Sequence, residues 1–185
     1  MAQLKRGANV ALTREIPTLR TVLLGIRFEA GSEKLLLDHL VTATILCDSA
    51  NKALSDEHFV FFNQLSSPEE SVSQREAALG DDNDQIEVSL PDVPAEVDRI
   101  VVVAYLNDPQ RRSLGQLREC HIRVLDAEGN AELIRSENLA PTLTSETALA
   151  LGELYRHQGG WKFRVIGEGY AKGIAGIAAD YGVGL

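Results

Sequence analysis

Cysteine is nearly missing from this chain: two residues in 185, Cys47 and Cys120. They stand far apart, with no CxxC and no Cys/His cluster, and read most simply as buried or half-buried thiols of a cytoplasmic protein. No run of about 20 apolar residues occurs, so nothing in the sequence is built to insert into a membrane. Residues 1–7 lack the apolar core of a secretory signal. Positive charge is also short, with 18 Lys and Arg against 27 Asp and Glu and a net charge of −9. That balance argues against nucleic acid as a partner, because neutralising phosphates needs a basic surface. It suits a solubilising surface and a cation site alike. Catalytic signatures are absent too: there is no GxSxG elbow, no HExxH and no GxxxxGK[ST] loop.

What the chain does contain is strand pattern. Residues 22–28 form a short apolar run, and the β-branched stretch 41–47 is followed by turn chemistry in Asp48-Ser-Ala-Asn-Lys52. Residues 59–62 are apolar and aromatic. Residues 85–90 alternate polar and apolar, the mark of a strand with one wet face. Residues 99–106 are apolar enough for a strand buried on both faces. Residues 112–117 suit one helical turn, and strands follow at 120–125 and 131–136 about a Gly129-Asn130 hairpin turn. Further strands are expected at 147–157 and 161–167, about a Gly159-Gly160 turn, before a terminal helix over 174–180. About ten strands at short spacing, without βαβ rhythm, predict an all-β dominated chain: a β-sandwich of two sheets with a short C-terminal helix. At 185 residues the chain suits one domain, 1–185.

The candidate chemistry is concentrated in one loop. Asp81, Asp82, Asn83 and Asp84 follow Gly80 and precede the strand at Gln85. A hard cation such as Ca²⁺ takes six to eight oxygens, and a loop of Asp and Asn offers several. The spacing is not that of an EF-hand, and a solvated turn is the plainer reading of the same residues. The glycines of residues 167–173 lack phosphate-loop order and read as tight turns beside a small helix. His39, His58, His121 and His157 share no ligand spacing. Tyr155, Trp161 and Phe163 read as core, with Lys162 and Arg164 on the opposite, wet face.

Residues 152–170, with these aromatics and glycines, resemble the C-terminal signature of the TerD family of tellurium-resistance and general-stress proteins. Leu4-Lys-Arg-Gly-Ala-Asn-Val-Ala-Leu12 is similar to the family's opening strand, and Ser55 to Asn63 to its D-x-x-F-V-F-Y-N segment, with Phe62 for tyrosine. Ser66-Ser-Pro68 and residues 84–90 match in place and order. The resemblance implies a two-sheet sandwich and Ca²⁺ binding, with no well-established catalytic activity. It also implies partners among other stress and tellurium-resistance proteins, at a membrane-associated complex. Two segments depart from the pattern. Where relatives carry Asp-Leu-Asp-Ala-Ser, this chain has His39-Leu-Val-Thr-Ala43, with Asp38 one residue away and, in a strand, on the opposite face. The loop before the acidic cluster, residues 73–79, is shortened. The expectation is a non-enzymatic binding or scaffold module with weak or lost Ca²⁺ binding. The alternatives are a Ca²⁺-dependent sensor using residues 81–84 and a small thiol-dependent redox enzyme using Cys47 or Cys120.

Overall fold

The structure, a computed structural model, describes residues 2–78 and 80–185. Met1 and Leu79, the last residue of the shortened loop, lie outside the described residues. In chain order the elements are strands β1 (Ala2–Leu4), β2 (Asn9–Ala11) and β3 (Thr21–Glu29), helix α1 (Leu35–Asp38), then strands β4 (Leu40–Cys47), β5 (Phe59–Val60), β6 (Val72–Gln74) and β7 (Asp84–Ser89). They continue with β8 (Arg99–Leu106), β9 (Glu119–Asp126), β10 (Glu132–Ser136), β11 (Ala148–His157), β12 (Gly160–Tyr170) and helix α2 (Ile174–Tyr181). A single 3-10 turn at Leu114–Gln116 stands where one helical turn is expected.

The strands form two six-stranded sheets, in the orders β1-β10-β9-β3-β7-β6 and β2-β12-β11-β8-β4-β5. They are called the first and second sheet below. Strand alternation sends one side of each into a shared core that includes Val22, Leu24 and Ile26 of β3, Ile100 and Val102 of β8, and Trp161 and Phe163 of β12. The sandwich expected from the strand pattern is the fold observed.

A second apolar cluster lies on the outer face of the second sheet. Ala43, Ile45, Val101, Val103 and Ala150 meet Ile177 and Tyr181 of α2 there. The terminal helix is thus a third layer. It explains why β8 is buried along nearly its whole length, Ile100 through Leu106.

The aromatic signature is built around a bulge. β11 slips register between Ala150 and Gly152 against both neighbours: against β8 the extra residue is Leu151, and against β12 it is on β12, where Ile166 and Gly167 lie opposite Leu151. Gly152 then faces the core, where an added Cβ would lie 2.8 Å from Phe163 Cζ. Only glycine leaves room for that ring. Trp161 and Phe163 are buried as expected, but Tyr155 is not core. It pairs with Lys162 on the outer face and carries the Arg99 guanidinium 5.7 Å from its ring centroid. The reversal between β11 and β12 falls at Gln158-Gly159, both with positive φ, and Gly160 already opens the next strand.

Two further expectations are corrected. The stretch 4–12, read as one opening strand, is two strands split at Gly7, which has φ +81°. β1 runs parallel to β10 in the first sheet, and β2 antiparallel to β12 in the second. Asp38, weighed above as a strand residue, ends α1, and β4 begins only at Leu40. Leu36 is buried and anchors that turn, so helical rather than strand geometry decides where Asp38 points.

Candidate functional site

The acidic loop lies against the outer face of the first sheet. Asp82 folds back over β3 at Gly25, so closely that a Cβ there would overlap its carboxylate. Both carboxylate oxygens are held by Arg123 of β9, with Nε 2.9 Å from Oδ1 and Nη2 2.8 Å from Oδ2. Gln85 Nε2 donates to Oδ2 at 2.7 Å. The Asp82 side chain is only 4% exposed. A bidentate, nearly dry guanidinium–carboxylate pair of this kind is directional and strongly held.

The pair belongs to a larger network. Arg123 Nη1 also reaches Glu132 Oε1 at 3.1 Å, and Arg135 Nη2 reaches the same oxygen at 2.8 Å. Burial pushes the Glu132 pKa up, but hydrogen bonds from Arg135 and Arg123 outweigh it and hold the carboxyl below its ordinary value. Burial pulls Arg123 down, and its bonds to Asp82 and Glu132 more than reverse that. Arg123 and Arg135, together with Arg27 and His121, line a cleft of about 350 Å³ floored by Gly25 and walled by Gly80, Asp81 and Asp82.

The other loop residues are also engaged. Asn83 Oδ1 accepts the Phe28 backbone N–H at 2.7 Å. Asp84 is the first residue of β7, and its Oδ2 accepts from Thr42 Oγ1 of β4 at 2.7 Å, joining the two sheets. The Asp81 carbonyl accepts from Arg27 Nη1 at 2.9 Å, while the residue itself is exposed. Asp38 is exposed at the end of α1. Among the described residues no group of three or more His, Cys, Asp or Glu side chains converges as metal ligands would.

The thiols lie elsewhere and apart. Cys47 is buried on the outer side of β4, and Cys120 in the inter-sheet core. Burial pushes both thiols up to about 12, so neither is a thiolate near neutral pH.

Arg27, Arg123 and Arg135 were not singled out from sequence, although a signal for them exists. Gly25 stands alone inside the apolar run 22–28, and a lone glycine in a strand marks a close approach. Arg27 and Arg123 sit at alternating positions of their strands, on the wet face.

The class these observations define is a two-sheet sandwich with a charged, loop-bearing outer face and a helix-covered opposite one. The chain belongs to the TerD family: residues 1–181 match the TerD domain. It is 37% identical over 186 residues to the tellurium resistance protein TerD of Serratia marcescens, covering 97% of this chain and 96% of that one. It is 39% identical over 191 residues to general stress protein 16U of Bacillus subtilis, with the same coverage of 97% and 96%. Among solved structures it resembles a homologue of telluride resistance protein TerD from Streptomyces coelicolor, with a TM-score of 0.66 at 16% identity, over 86% of this chain and 95% of that one. No helix among the described residues is long and apolar enough to cross a membrane.

Proposed function

We propose that this protein is a non-enzymatic binding module of a cytoplasmic tellurium-resistance or general-stress system, whose acidic loop is locked by protein contacts and binds Ca²⁺ weakly or not at all. The observation that carries this reading is the commitment of the loop's donors. Ca²⁺ needs six to eight oxygens at about 2.3–2.6 Å. Here both Asp82 oxygens face Arg123, Asn83 Oδ1 holds the Phe28 amide, and Asp84 holds Thr42. The Arg123 guanidinium already places a positive charge within 3.0 Å of the carboxylate. A divalent ion would have to displace it from Asp82, leaving an arginine that is only 18% exposed with Glu132 alone as its carboxylate partner, and breaking so nearly buried a pair is costly. The residues present do not fit the cage.

The same arithmetic favours a binding module over an enzyme. Arg123 and Arg135 of the cleft face Asp82 and Glu132, Arg27 is engaged by the Asp81 carbonyl, Glu29 and Glu119, and both thiols are held protonated by burial. Family membership supplies the biological setting, and other proteins of the same stress system are the partners proposed, at a membrane-associated complex. Affinity purification of tagged protein from tellurite-stressed cells should recover reproducible protein partners, with unchanged recovery when chelator replaces Ca²⁺. Recovery that collapses in chelator would favour the sensor reading, and no reproducible partner would remove the module reading.

A further inference from the structure

Two opposite edges of the sandwich carry charge of opposite sign. At one edge lie β5 and β6, the last strands of the second and first sheet. The segment that builds them, residues 53–74, holds Asp56, Glu57, Glu69 and Glu70 and no Lys or Arg. At its tip, residues 61–64 close a tight turn through reciprocal backbone bonds of 2.9 Å between Phe61 and Gln64. Phe62 stands on that turn, 54% exposed, beside Leu65 at 36%. Its ring is propped edge-on against Phe61, which is propped against Phe59 in the same way. An aromatic held outward by two others loses little entropy on docking, the property of a binding anchor.

The far edge carries β1 and β2. Residues 2–17 hold Lys5, Arg6 and Arg14 against Glu15, and the Glu137 carboxylate reaches the same edge, accepting from the Arg6 backbone N–H at 2.7 Å. Lys5, Arg6 and Arg14 are exposed, and none is held in an ion pair with a described residue. Where β2 ends, a hollow of about 410 Å³ opens between Arg14, Pro17, His157, Trp161 and Lys162, and no Asp or Glu lines it. It is amphipathic, cationic and free of competing carboxylates. An aromatic ring set in an acidic rim matches it in shape class and sign, with the Arg14 and Lys162 cations available to the ring face.

We propose that the occupant is a second copy of this chain. The Phe62 turn of one copy enters the Arg14–Trp161 hollow of the next, with Asp56, Glu57 and Glu70 facing Lys5, Arg6 and Arg14. The two surfaces lie on opposite edges of a six-stranded sheet, about 24 Å apart at the usual strand spacing. A contact between such surfaces is heterologous, so it repeats from copy to copy and does not close in a dimer. Strand-to-strand pairing is not the means, because β2 has three residues and β5 two. The net charge of −9 on each copy opposes association. Attraction therefore comes from charges within about one Debye length, roughly 8 Å at physiological salt, and the contact is weak and concentration-dependent. The inference rests on surface chemistry alone, so purified protein tests it whatever the fate of the module reading above.

Sedimentation equilibrium of the purified full chain over a concentration series reaching the millimolar range provides the test. The expected result is a ladder of species beyond the dimer that grows with concentration. Phe62→Asp and Arg14→Glu each remove one edge, and each should lower the association constant by about tenfold or more. Both residues are exposed, and near-ultraviolet circular dichroism confirms that the variants fold. Mixed in equal amounts, the two variants should form a one-to-one dimer and nothing larger, since each keeps one intact edge. A wild-type monomer at every concentration would overturn the proposal. So would a dimer that stops at two, association indifferent to both substitutions, or a mixture that stays monomeric.

Discussion

The two outer faces of this sandwich solve the same problem in opposite ways. On the second sheet, Ile45, Val101, Val103 and Ala150 point outward, and α2 covers them with Ile177 and Tyr181. On the first sheet, Arg27, His121, Arg123 and Arg135 point outward, and the residue 80–84 loop covers part of them with Asp82. One face excludes water with apolar area, an interaction that is non-directional and tolerant of small shifts. The other orders its cover with a bidentate ion pair, which is directional and fails abruptly when one partner is removed. The second device has a consequence: the Asp82 carboxylate is already satisfied by an arginine.

The largest expected effect comes from uncovering the apolar face. Tyr181 is 4% exposed beneath the helix, and Tyr181→Ala should cost about 3–5 kcal/mol of unfolding free energy in urea melts. Removing α2's anchor should also expose Cys47, detectable as new reactivity towards a thiol reagent. Breaking the charged face should cost somewhat less. Arg123→Ala leaves Asp82 nearly buried without its cation, and about 3 kcal/mol is expected from the same melts. The diagnostic difference is local: amide exchange should quicken at residues 80–83 in Arg123→Ala and leave α2 protected, with the reverse pattern in Tyr181→Ala. If both variants loosened the same residues, the two faces would not be independent.

A smaller effect comes from acid. Glu132 has its folded-state pKa lowered, so its contribution is present above the unfolded pKa and is lost as pH falls through the folded one. Stability of the wild type should therefore decline with a component below the ordinary glutamate range that Glu132→Gln lacks. A parallel decline in both proteins would mean that the carboxyl is not held by Arg135 and Arg123 as described.

How much of this was legible beforehand differs between the faces as well. The apolar face was readable because burial leaves a direct trace: residues 99–106 are apolar at successive positions, as a strand covered on both sides must be. Trp161 and Phe163 declared their side of β12 by simple alternation. The charged face was not readable, because Asp82 meets Arg123 from 41 residues away, and composition does not say which charge faces which. Gly25 carried the one local hint. Asp38 went wrong for a related reason: Leu35-Leu-Leu37 supports a strand or a helical turn equally, and burial of Leu36 against the core decides for the turn. Gly7 hid a second surprise, since a single left-handed residue allows the chain to leave one sheet and join the other.

The most direct test of the central claim is the response of metal-stripped protein to Ca²⁺, read by calorimetric titration and by thermal unfolding with and without chelator. A ligand specific for the folded state must raise its stability. With Asp82 clasped by Arg123 and Asn83 and Asp84 engaged by Phe28 and Thr42, the expected result is the same unfolding temperature in Ca²⁺ and in chelator, with no saturable heat. A submicromolar, saturable isotherm accompanied by thermal stabilisation would contradict the account.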